Sequence, residues 1–304
     1  MIKKKIYIWA SDYSNFTGEG NLGRLFVNLR LRKKYKIIIC KFKTDNHIAN
    51  KLFSYKYILP FLGVINCWKY FFMGKKICYL NYTPLWNTLI FLLLPPKTIL
   101  GPITGGSYFK KEKSINYFVR KFIFPVFYIF SSYILSIRKF NTIFSTTLLK
   151  NYLNKNQIKK SEFNFVLNAL NLKKNNFKKK KLQFLIYYKK HHNKQNLYPI
   201  NFIKNLLKRK YKILVIGDEL KIEGVENLGY LNRNKLKKIL IKSKYAIISN
   251  ENIYSFFTID CINSNMKIIT TIEKRLDERL KNKFIYINPK KIDEINIKKN
   301  FKKL

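Results

Sequence analysis

The residues best placed to do chemistry gather in two regions of the chain. In the second half, Gly217, Gly229, Asn250, Glu251, Ser255 and Asp260 fall at or just after the ends of short apolar runs. An alternating α/β chain holds its ligands at such strand ends. Lys189 and Lys194, five residues apart, follow the run LQFLIYY and place two point charges beside a strand end. Asp260 interrupts the apolar turn TIDCI. A carboxylate buried there without a partner would be costly, which argues that it binds something; the alternative is an exposed carboxylate. In the first half, Gly18 and Gly20 open a glycine-rich turn into a helix, and Gly101, Gly105 and Gly106 surround Thr104. Such turns either admit a close ligand or simply satisfy a positive φ.

Other chemistries are poorly provided for. The cysteines, Cys40, Cys67, Cys78 and Cys261, lack CxxC spacing and sit in apolar contexts, as buried thiols in a reducing cytoplasm do. His47, His191 and His192 assemble no metal set. The net charge of +45 suits anionic partners, whether nucleotides or anionic lipid headgroups. It comes from 52 Lys against 9 Arg, spread along the whole chain. That is the composition of an AT-rich coding sequence, not of a specific nucleic-acid reader, in which Arg is enriched.

The positioning elements follow from the apolar patterning. KIYIWA (5–10) reads as a buried strand, too short for the core of a secretory signal. GEGNLGRLFVNLRLRKK (18–34) reads as a turn and amphipathic helix, and YKIIICKF (35–42) as a second strand, which completes a βαβ unit. KICYLNY (76–82) and KTILGPITGGS (97–107) add strands, with a helix between them that carries Pro84 in its first turn and stops at Pro95–Pro96. NTIFSTT (141–147) and NFVLNAL (164–170) read as further strands. FIFPVFYIFSSYILSI (122–137), flanked by Arg120–Lys121 and Arg138–Lys139, falls short of the ~20 residues of a bilayer span. It reads as a core helix or as one lying on an anionic membrane surface. The polar stretch 171–181 is the best linker, which gives domains of 1–172 and 173–304. In the second domain LQFLIYY, ILVIG, VENLGYL and AIISN read as strands, NRNKLKKILIKS as a helix capped by Asn232 or Asn234, and a further helix opens near Tyr254–Ser255. Residues 288–304 read as a short basic helix.

Two alternating halves with these motifs resemble the GT-B fold of nucleotide-sugar glycosyltransferases, and in particular the retaining, family 4-like group. GEGNLGRLFVNL resembles that family's glycine-rich loop, with Gly18 and Gly20 beside phosphate or sugar. LGPITGGSYF resembles a loop whose Thr104, Gly105 and Gly106 shape the acceptor side. Lys189 and Lys194 match an Arg and a Lys that clamp the donor diphosphate, with a point charge where the family has a guanidinium fork. ENLGYLNRNKL resembles the loop against the donor base, with Gly229 and Tyr230 in contact. NENIYSFFTIDCI resembles the segment that carries two acids eight positions apart. Asp260 takes the ribose-binding position and Asn252 the position near the transferred sugar, with Glu251 one residue earlier and Ser255 where the family has Gly. YLNYTPLWN offers no counterpart to the family's catalytic His.

The resemblance implies two Rossmann-like domains with parallel sheets facing an interdomain cleft. It implies a hexosyltransferase that moves a sugar from a nucleotide-diphosphate sugar to a lipid-linked or cell-surface polysaccharide acceptor. Glu251 or Asn252 would act at the sugar, with no cofactor and no metal. It also implies a cytoplasmic protein at the inner face of the plasma membrane, with an anionic membrane surface as partner and no specific nucleic acid. The missing His and Asn252 fit an alternative, a catalytically inactive nucleotide- or glycan-binding relative.

Overall fold

The structure, a computed structural model, describes residues 3–15, 17–40, 55–80, 83–105, 115–169, 180–190, 198–249, 253–271 and 277–287. The chain divides into two compact units, Met1–Ala169 and Leu170–Leu304. Each is an α/β unit whose main sheet is wholly parallel. The linker reading and the basic helix read at 288–304 lie almost wholly outside the described residues.

In the first unit, β1 (Lys5–Trp9) pairs in parallel with β2 (Lys36–Cys40), Ile8 opposite Ile39. Between them α1 (Gly18–Phe26) continues into a wider π-type turn over Val27–Leu31. An apolar helix not read from the sequence, α2 (Tyr55–Phe72), packs on β1 and on β3 (Lys76–Tyr79). The sheet closes with α3 (Thr88–Leu93) and β4 (Ile99–Leu100), in the order β2-β1-β3-β4. Pro84 is not in the first turn of α3. It forms a parallel bridge to Thr104, because buried Thr83 donates its hydroxyl to the Pro102 carbonyl at 3.1 Å and keeps the segment extended.

A long apolar helical stretch follows: α4 (Ile115–Phe118), a π-type turn at Val119–Ile123, and α5 (Phe124–Ile137). Pro125 sits in the first turn of α5, where a missing N–H costs no helical bond. Val119–Ile137 is 19 residues, longer than the apolar run alone suggests and long and apolar enough to cross a bilayer by length and composition. One face of α5 nevertheless packs inward through Tyr128, Ser131, Ser132 and Leu135. The short strands β5 (Thr142–Ile143) and β6 (Ser161–Glu162) pair in parallel across α6 (Lys155–Lys159). NFVLNAL coils into α7 (Phe165–Ala169) instead of forming a strand. Short apolar runs fit either element, and here Asn164 takes a φ of 54° and turns the chain into the helix.

The second unit contains β7 (Lys181–Tyr188), α8 (Ile200–Lys208), β8 (Lys212–Gly217), β9 (Glu226–Asn227) and α9 (Arg233–Lys242). It is completed by β10 (Ser243–Ile247), α10 (Phe256–Asn263), β11 (Lys267–Thr270) and β12 (Phe284–Tyr286). Its six strands run β12-β11-β10-β7-β8-β9, all parallel. The central strands are apolar on both faces, and Leu185, Ile186, Val215 and Ile247 are fully buried. Each such side chain contributes about 1.5–3 kcal/mol. Asn232 caps α9 by accepting from the Lys235 N–H at 2.9 Å. Lys180 closes the other end, donating to the Ser243 carbonyl at 2.9 Å and the Leu240 carbonyl at 3.3 Å. Burial lowers its ammonium pKa to about 8.

Candidate functional site

The strand order of the second unit fixes where a ligand can enter. Chain order reverses between β7 and β10, the first and fourth strands of the unit, which pair with Ile186 opposite Ile247. Helices leaving two neighbouring strands in opposite senses open a crevice beyond their carboxyl ends, and doubly wound sheets bind ligands there. Lys189 follows β7 directly and is exposed, while α10 is the next helix after β10.

Asp218 organises this edge, although the sequence reading passed over it. Its carboxylate accepts the Lys190 N–H at 2.7 Å on one oxygen and the Tyr230 hydroxyl at 2.6 Å on the other. Its own N–H donates to the Tyr188 carbonyl at 2.9 Å. One residue thereby ties the turn that carries Lys189 to the loop that carries Gly229 and Tyr230. Gly217, just before it, has a φ of 97°, and a Cβ there would lie 2.3 Å from the Tyr188 carbonyl oxygen. The close passage of the two strand ends therefore requires glycine. The Gly217 N–H donates to the Gly229 carbonyl at 3.0 Å and draws in the loop after β9.

The hydrogen bond to Asp218 pushes the Tyr230 phenol up to about 12. A raised pKa of this kind means that the contribution is complete below the ordinary tyrosine range and is lost as pH rises toward about 12. The ultraviolet titration difference between the wild type and Tyr230→Phe is expected to show one phenol near 12. Asp218→Ala should return that phenol toward about 10. A wild-type difference midpoint already near 10 would sink the Tyr230–Asp218 contact.

On the β10 side, Ser255 caps α10 by accepting the Thr258 N–H at 3.2 Å. Ser255 therefore has a local task as a helix cap. The rings of Tyr187, at the end of β7, and Phe257, in the first turn of α10, pack on each other with centroids 5.7 Å apart. The sequence reading missed this pair, since the contact depends on β7 lying next to β10. Asp260 corrects an expectation. Thr258, Ile259, Cys261 and Ile262 are buried, and the helical repeat turns Asp260 to the opposite, exposed face. The cost of burying a carboxylate is therefore no argument for a ligand there. The protein around Asp260 still raises its pKa by desolvation, against the opposing charge of Arg233.

In the first unit, Thr17 caps α1 by accepting the Gly20 N–H at 2.9 Å. A Cβ at Gly20 would lie 2.3 Å from the Ser14 carbonyl oxygen and 2.8 Å from an Asp12 carboxylate oxygen. The room made by Gly20 is thus filled by the chain's own loop, not left for phosphate or sugar, whereas Gly18 borders open space. Asp12 accepts the Ser14 N–H at 2.9 Å and the Thr17 hydroxyl. Burial pushes its carboxyl up, but the bonds from Thr17 and Ser14 outweigh that and hold it below the usual range. Thr104 and Gly105 follow β4, two strands from β1 along the same carboxyl edge. Gly106, Lys194, Glu251 and Asn252 lie outside the described residues. Among the described residues, no three His, Cys, Asp or Glu side chains cluster as a metal would need.

Fold and site together define a protein of two parallel α/β units, the second with an exposed lysine and a packed aromatic pair at its switch point. No protein-family model and no curated protein sequence matches the chain. Among solved structures it is similar to a glycosyltransferase from Rickettsia africae ESF-5, at 11% identity and a TM-score of 0.49, over 96% of this chain and 88% of that one. It is also similar to a protein assigned as a UDP-N-acetylglucosamine 2-epimerase from Listeria monocytogenes, at 10% identity and a TM-score of 0.44, over 100% and 89% of the two chains. A third is the E. coli heptosyltransferase WaaC with ADP-2-deoxy-2-fluoro heptose, at 8% identity and a TM-score of 0.34, over 98% and 99%. Likenesses this distant fix neither activity nor substrate.

Proposed function

We propose that the chain is a glycosyltransferase that takes a sugar from a nucleotide-diphosphate donor held at the carboxyl edge of its second sheet. The observation that supports this most is the set of residues at the carboxyl edge where β7 and β10 pair. Lys189 is an exposed cation one residue past β7, and the Tyr187–Phe257 pair joins the end of β7 to the first turn of α10. An anionic, ring-bearing ligand suits that combination. Lys189, with Lys194, offsets charge on the departing diphosphate. Asp260, exposed on α10, is free to accept from ribose hydroxyls. Gly229 and Tyr230 lie against the base, and Glu251 or Asn252 contacts the sugar. A lipid-linked or cell-surface polysaccharide acceptor, contacts from Thr104, Gly105 and Gly106, a retaining course and a cytoplasmic place at the inner face of the plasma membrane follow from the resemblance to the family 4-like enzymes.

A thermal-shift panel of UDP-, GDP-, ADP- and CMP-sugars tests the donor site. One nucleotide class is expected to raise the melting temperature, by about 2.7 kcal/mol of stabilisation at a hundred times Kd. Asp260→Ala should respond much less. No response from the wild type, or an equal one from the variant, removes the assignment. Asn252, where the family carries an acid, favours a second reading in which the chain binds the donor without transfer. Radiolabelled sugar appearing in a membrane lipid extract would eliminate that reading.

A further inference from the structure

We propose that the outer face of α4 and α5, with α3 and α2 beside it, docks on the interface of an anionic lipid bilayer and lies in that interface without crossing it. The inference names the surface by which the proposed membrane location is reached, and it rests on that reading only for its biological setting.

The helix from Ile115 to Ile137 is dressed the wrong way round for water. Ile115, Phe118, Phe122, Val126, Phe130 and Ile137 advance by three, four or seven residues and so share one helical face. All are exposed, Ile115 at 84%, Phe130 at 57% and Ile137 at 77%. The buried face meanwhile carries hydroxyls. Ser131 exchanges a hydrogen bond with Thr88 at 2.9 Å, and Ser132 accepts the Asn154 N–H at 2.8 Å. A helix with satisfied polar groups inside and phenylalanines outside matches an apolar exterior. The exposed apolar surface extends to Leu89 and Leu92 on α3, which is joined to α5 through Thr88, and to Ile65 and Phe72 on α2. The Trp68 ring N–H joins α2 to α3 by donating to the Leu93 carbonyl at 2.7 Å.

Charge selects the occupant. Between Asp45 and Glu162 the sequence contains a single acid, Glu112, while Arg120, Lys121 and Lys139 flank the apolar face. A second copy would bring these cations against their own kind, whereas anionic headgroups complement them. Lys121 already lies over the Phe122 ring, with its ammonium 5.0 Å from the centroid. A cation held beside an apolar stripe suits the headgroup boundary. Arg138 is engaged elsewhere, since its guanidinium donates to the Phe91 and Leu92 carbonyls at 2.7 Å each and to Leu94, which caps α3. Crossing the bilayer would strip Tyr128, Ser131, Ser132 and Leu135 from their packing and hydrogen bonds, so the helix lies in the plane.

The test uses the full chain and sedimenting vesicles, phosphatidylcholine alone or mixed with phosphatidylglycerol, with no donor or acceptor present. Failure here therefore leaves the donor reading standing, and the reverse also holds. The wild type is expected to sediment with the anionic vesicles. The Phe118→Ser/Phe122→Ser/Phe130→Ser variant should partition more weakly by on the order of a hundredfold. All three sites are exposed, and an unchanged melting temperature verifies the fold of the variant. Phe130→Trp should become quenchable by brominated lipid, which places the ring among acyl chains. Equal binding by the triple variant would mark the attraction as charge alone and overturn the proposal. So would a wild-type dimer that ignores vesicles and dissociates in the triple variant, because the face would then belong to a second copy.

Discussion

Lys189→Ala is expected to cut the thermal stabilisation of the chain by nucleotide-diphosphate sugars to half or less, and Lys189→Arg to strengthen it. Hydrogen bonds to a charged group are worth about 1.5–3 kcal/mol, so the alanine variant should lose roughly 10- to 150-fold in donor affinity. Arginine would restore the two-pronged contact that a lysine ammonium cannot make with a phosphate. The prediction is sharp because the turn is held independently of this side chain: Asp218 fixes it through the Lys190 N–H. Affinity should therefore change while the melting temperature of the unliganded protein does not. Isothermal titration calorimetry with the responsive donor decides it. Equal affinity in all three proteins would move the diphosphate away from β7.

Gly101→Ala is expected to destabilise the first unit by about 3 kcal/mol, the upper end of what core overpacking with a backbone shift costs. A Cβ there would lie 1.9 Å from the Leu80 carbonyl oxygen, and no flexible side chain is available to yield. The same residue donates its N–H to the Tyr79 carbonyl at 2.8 Å, so a shift that relieves the overlap also breaks the passage from β3 to β4. Urea unfolding followed by tryptophan fluorescence would detect the loss. By contrast Gly18→Ala meets no atom within 4 Å and serves as the control.

How legible these features are in the sequence depends on whether they are local. The strands of the second unit are plain because buried parallel strands are continuous apolar runs, as ILVIG is at 213–217. NFVLNAL is equally apolar and only seven residues long, too few for a period to separate strand from helix. The burial argument for Asp260 fails because it rests on the apolar neighbours in sequence, whereas burial on a helix is decided by the residues on its own face. Asp218 and the Tyr187–Phe257 pair depend on which strands are adjacent, and no local pattern records that. A Gly–Asp at the end of an apolar run was the available signal for Asp218, and it becomes meaningful only once β7 and β8 are known to be neighbours.

The strand order of the second unit also determines when its switch point comes into being. Its two sides meet through the pairing of β7 with β10, in which Ile186 joins Ile247, residues far apart along the chain, after α8, β8, β9 and α9 have been placed between them. Contacts of such long range bear the largest loop-closure entropy and tend to form late. Until β7 and β10 pair, the two sides of the edge are apart and there is no place for a ligand. Whatever binds there recognises only the finished unit, and its binding energy counts in full toward the stability of the whole rather than of one segment.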